Sequence, residues 1–283
     1  MLKRAVIPLG LKEPLHKVLS MARCTRSFGT EELLLVHVLS SHSPKALTRR
    51  EEQLKTYADA LVGEGFTVRS RFRTGQPVPE ILTAADSLEA DYLALAWDRQ
   101  GVLKRALMGS IQEDVLRLTR VPVYVHKSRD LLDRKTSLDA VLYATDFKST
   151  DAKVMPYLVD SDFAAETLYL LHVGERAPDP DTEAMRRERA LKNLERLAGQ
   201  CRHAYTEVIP LEAVGPTNKV IVRQAHRNKV DLVVLGKADS VHPLRQIIGS
   251  TAEAIPNRVR CSVFLVPSIR KRRPSTDHEP TEQ

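Results

Sequence analysis

The 283 residues hold only three cysteines, Cys24, Cys201 and Cys261, far apart and with no Cys-x-x-Cys pair among them. That excludes a disulfide framework and a zinc site built on paired thiolates, and it suits a reducing compartment. Aromatic residues make up just 5% of the chain, with Trp97 the single tryptophan, and no recognised nucleic-acid reading motif accompanies them. Charge alone is left to argue for nucleic acid. No stretch approaches the ~18 apolar residues that cross a bilayer, and residues 1 to 10 lack the long apolar segment of a signal peptide. The expected setting is the cytoplasm, without membrane insertion. Also missing are a Gly-x-Ser-x-Gly elbow, a Walker lysine motif and His-Glu-x-x-His, so no catalytic residue is assigned.

Composition is otherwise that of a globular protein, with 42% hydrophobic and 28% charged residues. The net charge of +7 permits contact with anions, but its sign does not choose among nucleotide, nucleic acid and membrane. Part of the excess lies in Arg270, Lys271, Arg272 and Arg273, followed by a polar end. Without an adjoining amphipathic helix, 269–283 reads as a solvated tail.

The chain repeats itself. Short apolar runs alternate with longer amphipathic ones, a pattern that predicts βαβ units around a parallel sheet. Strands are expected over Ala5 to Pro8, Leu33 to Val38, Thr67 to Phe72, Tyr92 to Ala96 and Val121 to Val125. They return as Ala140 to Tyr143, Thr167 to Val173, Tyr205 to Leu211, Leu232 to Leu235 and Ser262 to Val266. His37 maps to His172 at an offset of 135, while Gly75, Gly109 and Val123 map to Gly215, Gly249 and Val263 at an offset of 140. The expected organisation is a first domain over 1–127, a linker over 128–138, a second domain over 139–268 and the tail.

Chemistry concentrates in the second half. The strand ending at Leu235 runs into Gly236-Lys-Ala-Asp239, and Gly249-Ser250-Thr251 then precedes a helix. Glycine lets a phosphate approach the backbone, and the free N–H groups and dipole of a helix N-terminus favour an anion. The first strand of this half ends in Ala144-Thr145-Asp146, placing a carboxylate where open α/β sheets bind ligands. Such an acid can accept from a ribose or hold Mg²⁺. Plainer roles are open too: Gly236 as a turn, Gly249 as a helix start, and Ser250 and Asp146 as N-caps. His37 and His172, inside apolar strands without a second nearby ligand, read as packed histidines. Trp97 reads as pocket wall or interface, and Lys104 and Arg105 as a solvated face.

These motifs together resemble the universal stress protein family in its tandem form. The family pattern is Gly-x2-Gly-x9-Gly-Ser/Thr after the fourth strand, with a Thr-Asp or Val-Asp ending to the first strand and a Val-His-Val-like second strand. The chain answers with Thr145-Asp146, Leu171-His-Val173 and Gly236-x2-Asp239-x9-Gly249-Ser250, and in its first half with Gly75-Gln-Pro77 and Gly109-Ser110. The resemblance implies two Rossmann-like α/β domains, each a five-stranded parallel sheet with helices on both faces, paired through their last strands as a pseudo-dimer. It implies an adenine nucleotide, ATP or AMP, with or without Mg²⁺, held by the second domain only. Asp146 would meet the ribose or a metal, Val173 would offer backbone to the adenine, and Ala144, Thr145, Leu235 and Asp239 would belong to the same nucleotide site. Gly236, Gly249, Ser250 and Thr251 would surround the phosphates. Asp239 departs from the pattern, standing where the second glycine belongs. A carboxylate about 5 Å from a phosphate opposes it by about 3 kcal/mol at an effective dielectric near ~20.

The first half departs further, with Gly10 opposite Asp146, and Ala96 and Arg99 where the two glycines belong. It reads as a structural or regulatory partner. The function implied is a nucleotide-responsive stress or signalling module whose occupancy changes what it presents to a protein partner, with a homodimer of tandem chains a further partner to be tested. The alternatives are a ligand-independent interaction protein with two vestigial pockets and a slow ATP hydrolase.

Overall fold

The computed structural model describes residues 1–39, 44–97, 111–127, 138–148, 150–160, 163, 165–237 and 250–267. Arg99, Lys104, Arg105, Gly109, Ser110, Asp239, Gly249, most of the expected linker and the basic tail lie outside them.

Ten strands form one sheet. In the first half β1 (Arg4–Pro8), β2 (Glu32–Leu39), β3 (Thr67–Thr74), β4 (Tyr92–Ala96) and β5 (Val123–His126) alternate with α1 (Leu15–Thr25), α2 (Pro44–Gly63), α3 (Pro77–Ser87) and α4 (Ile111–Leu118). In the second, β6 (Leu138–Thr145), β7 (Ala165–Gly174), β8 (Glu207–Val214), β9 (Leu232–Gly236) and β10 (Ser262–Val266) alternate with α5 (Asp151–Val159), α6 (Pro180–Cys201), α7 (Thr217–Arg227) and α8 (Ser250–Arg258). The strand order is β3-β2-β1-β4-β5-β10-β9-β6-β7-β8. Pairing is parallel within each half and antiparallel only where β5 meets β10, with Val123, Tyr124 and Val125 opposite Leu265, Phe264 and Val263. The two expected domains are therefore a pseudo-dimer joined through their last strands.

Local chemistry explains the boundaries. Gly75 and Gly215, with φ of 143° and 132°, end β3 and β8 in backbone that side chains rarely adopt. A proline follows each within two residues and pre-sets the first turn of α3 or stands at the cap of α7. α6 starts where the Asp179 carboxylate accepts from Thr182 N at 2.9 Å. Two expected strand starts shift. β5 begins at Val123 rather than Val121, because Pro122 between them has no N–H for the ladder. β8 begins at Glu207 rather than Tyr205, whose buried ring packs in the approach to the strand. Leu138, expected in the linker, opens β6.

Side chains alternate along the strands between two cores. One face carries Ile7, Leu35, Tyr143 and Leu170 against α1, α2, α5 and α6; the other carries Val6, Leu95, Leu142 and Leu235 against α3, α4, α7 and α8. Each core runs unbroken from one domain into the other, so every fully buried leucine or valine contributes about 1.5–3 kcal/mol to one cooperative unit. The scarce aromatics gather where the halves meet. Phe28 packs edge-on to Tyr124 at 4.9 Å, and its counterpart Phe163 packs edge-on to Phe264 at 5.0 Å. Phe28 and Phe163 meet each other at 5.3 Å.

Two buried lysines complete the joint. Lys127 Nζ donates to Pro256 O and, at 2.9 Å, to Val259 O at the end of α8. Lys237 Nζ donates to Leu116 O at 2.9 Å and Arg117 O at 3.1 Å at the end of α4. Each domain thus sends a cation to the negative end of the other's last helix.

Candidate functional site

β6 and β9 lie side by side, with Ala144 opposite Leu235, so the segments that follow them emerge at one edge of the sheet. From β6 the chain turns to α5 on the aromatic face, and from β9 to α8 on the other. Neighbouring strands whose connections part to opposite faces open a crevice at their carboxyl ends. The edge brings together Ala144, Thr145, Asp146, Leu235 and Gly236. The β6–β7 register sets Thr145 opposite His172, which puts Val173 level with Asp146. Ser250 and Thr251 open α8, with Thr251 half-buried; the side chain of Ser250, like Asp239 and Gly249, lies outside the described residues.

Asp146 leaves the sheet half-exposed. Its Oδ1 accepts from Lys148 N at 3.1 Å and from Thr150 Oγ1 at 3.2 Å, and Lys148 Nζ stands 3.9 Å from Oδ2. Asp146 is therefore not the N-cap of α5, a position held by Thr150; it closes the turn ahead of the helix. Its side chain remains 46% exposed. Among the described residues no three His, Cys, Asp or Glu side chains converge as metal ligands, so a cation at Asp146 would draw its remaining ligands from phosphate and water.

Thr145 is committed inward. Its hydroxyl donates to the Asp151 carboxylate at 2.7 Å and accepts from Phe147 N at 2.9 Å. The buried Asp151 also accepts from Tyr143 Oη at 2.5 Å, and burial, with the Asp151 charge adding to it, pushes the Tyr143 hydroxyl well above its ordinary pKa. Thr145 thus shapes the turn and does not offer its hydroxyl to a ligand. Gly236 is likewise used from within: a Cβ on it would lie 2.7 Å from Thr150 Cβ. Close approach at this glycine belongs to Thr150 in the structure.

Several residues at this edge carried no sequence signal. Phe147, at φ 59°, stacks on His172 with ring centroids 4.2 Å apart, while His172 Nδ1 bonds Thr145 O at 3.0 Å. Arg186, from α6, packs over Gly174 so closely that a Cβ there would collide with it. It bonds Glu183 at 2.8 Å and Glu212 at 2.6 Å, and its Nη1 is buried without a partner. The bond from Arg186, aided by Ala177 N, holds the Glu183 carboxyl down at about 2. Arg186 reaches β7 from another element, which no local motif announces.

The first domain repeats this edge with different partners. Leu11 repeats the φ of 59° seen at Phe147, and His37 Nδ1 bonds Leu9 O at 2.7 Å as His172 bonds Thr145 O. Gly10 stands in the place of Asp146, but the carboxylate is not lost. Glu13, three residues on, folds back so that Oε1 accepts from Gly10 N at 2.9 Å and Oε2 from Lys12 N at 3.0 Å. The second of these bonds repeats the one Asp146 makes to Lys148 N. At the neighbouring strand end, the Gln112 amide donates to Ala96 O at 2.6 Å. Trp97 is half-buried against the adjoining core.

Comparison with known proteins gives a consistent result. The model of the universal stress protein family matches residues 1–127 and again 138–267. A universal stress protein from Archaeoglobus fulgidus DSM 4304 superposes with a TM-score of 0.73 at 25% identity, over 93% of this chain and 96% of that one. A functionally unknown protein from Pseudomonas aeruginosa PAO1 superposes at 0.62 with 17% identity, over 94% and 92%, and shares the fold alone. No curated protein sequence matches. Among the described residues no helix is long and apolar enough to cross a membrane.

Proposed function

The chain belongs to the universal stress protein family, twice over, and from that premise we propose that its second domain binds an adenine nucleotide, ATP or AMP, and so acts as a nucleotide-responsive module. The observation that carries this reading is the asymmetry of two otherwise matching edges. In the second domain Asp146 stands half-exposed just past the end of β6, next to the strand that ends at Gly236. In the first, Glu13 is folded over Gly10 and Gln112 caps Ala96.

Asp146 would accept from a ribose hydroxyl or hold Mg²⁺ together with phosphate oxygens. Val173, level with it on β7, would flank the base, and Gly249, Ser250 and Thr251 would supply donors to phosphate at the α8 N-terminus. Thr150 would have to withdraw from Gly236, and that movement is the natural route by which occupancy alters the surface shown to a protein partner. A second reading, a ligand-independent interaction protein, draws support from the same contact of Thr150 with Gly236 and from Asp239.

Calorimetric titration of the full chain with ATP and AMP, with and without Mg²⁺, separates the two. Nucleotide binding in the crevice is expected once per chain, that component being lost in Asp146→Ala and strengthened about tenfold or more in Asp239→Gly, as removal of a like charge near phosphate requires. Absence of binding in the natural chain and in Asp239→Gly would favour the interaction protein. Two equivalent sites per chain would refute the asymmetry.

A further inference from the structure

A groove of about 490 Å³ runs along α7, between that helix and the 258–261 segment leading into β10. That segment lies at the start of a second-domain strand, at the end of the sheet away from Asp146 and Gly236. Its floor is apolar, with Val222, Ala225, Val259 and Cys261, and its rim is Lys219, Arg223, His226, Arg227, Arg258 and Arg260. None of the described residues lining it is acidic.

Two observations separate this rim from an ordinary solvated face. About half of the described arginines elsewhere are paired: Arg4, Arg23, Arg69, Arg73, Arg117, Arg186, Arg187 and Arg202 each reach a carboxylate. Lys219, Arg223, Arg227 and Arg258 make no ion pair among the described residues. The duplication then supplies a control. From β3 onward the two domains match at an offset of 140, and at that offset the floor residues answer to Leu82, Ala85, Thr119 and Val121. The rim answers to Pro79, Thr83, Asp86, Ser87, Leu118 and Arg120. One copy of the fold builds the same helices over the same floor with a single rim cation and an acid, so packing does not demand the charge. Helix dipoles account for His226, Arg227 and Arg258, which lie in last turns, but not for Lys219 and Arg223 in the first half and middle of α7. At one end of the groove Asn218 Oδ1 is buried without a partner, and its amide turned over would present donors.

We propose that this groove binds a small, multiply charged phosphate anion, tripolyphosphate or the phosphate chain of a nucleotide, at a site separate from the crevice at Asp146. Clustered guanidinium forks suit phosphate oxygens, and a groove of this volume holds a ligand of that size.

The test is calorimetric titration of the full chain with sodium tripolyphosphate, with ATP, with adenosine and with a short single-stranded oligonucleotide. Tripolyphosphate is expected to bind, more weakly as salt rises, and adenosine to give no signal at this site. The Arg223→Ser, Arg258→Ser double variant, both exposed positions, should weaken tripolyphosphate at least tenfold, while Asp146→Ala leaves it unchanged. ATP binding that survives Asp146→Ala and is lost with the arginines would make a nucleotide the source of the phosphates; tripolyphosphate binding alone would make it an inorganic polyanion. No tripolyphosphate binding, or binding indifferent to the arginine pair, would overturn the proposal. So would loss with Asp146→Ala, which would return the anion to the crevice, or tighter, arginine-dependent binding of the oligonucleotide, which would make the groove a nucleic-acid face.

Discussion

Lys237→Met offers the sharpest discrimination between two uses of one residue. In sequence Lys237 stands inside the glycine motif, where its charge would offset that of Asp239 or meet a phosphate. In the structure it is buried, and its ammonium donates to Leu116 O and Arg117 O of the other domain. Methionine keeps the stem and removes the donors, leaving two helix-end carbonyls without their partner. Hydrogen bonds from a charged donor are worth about 1.5–3 kcal/mol each, and against that loss stands the relief of a desolvated ammonium costing several kcal/mol. The opposing terms leave about 2 kcal/mol of destabilisation, roughly a thirtyfold change in the folding equilibrium. Urea unfolding followed by circular dichroism reads this directly, and a parallel ATP titration reads the site. Destabilisation with nucleotide affinity preserved is the expected pair of results. Stability within about 0.5 kcal/mol of the parent, together with a tenfold loss of ATP affinity, would place Lys237 on the phosphate and refute the reasoning.

Gly236→Ala should cost about 1–3 kcal/mol, because its Cβ would lie 2.7 Å from Thr150 Cβ. Thr150→Gly in the same chain should recover most of that loss and Thr150→Ala should not, since the clash is with Cβ itself; equal recovery by both would mean the contact is not the cause. Burial first, and Arg50 beside it, lower the His37 pKa below 6.5 despite its bond to Leu9 O. The folded state therefore refuses a proton that the unfolded state accepts, so His37 contributes stability fully present above about 6.5 and lost as pH falls below it. His37→Gln should flatten the fall in urea stability between about pH 7 and 5.5, and an unchanged slope would remove His37 from the account.

How much of this was legible in sequence depended on distance along the chain. The repeat fixed two domains, because strand and helix periods and the Gly75 and Gly215 turns are local demands of backbone and burial. Pairing of β5 with β10 followed from the resemblance, and the structure shows it. Asp146 and Gly236 could be placed at a strand's end, since each sits where its own strand stops. Their working partners could not: Thr150 over Gly236, Glu13 standing in for an aspartate three residues earlier, and Arg186 over Gly174 are meetings of side chains that depend on where the chain returns. Lys237 and the groove show the same division. Sequence determined that a lysine follows Gly236 and that α7 is basic; only the antiparallel meeting of two sheets put that lysine at another domain's helix end. Folding likewise gathered Arg223 and Arg258, 35 positions apart, around one apolar floor. Local rules set elements, whereas electrostatics and close contact act through space, and space is assigned only when the chain is packed.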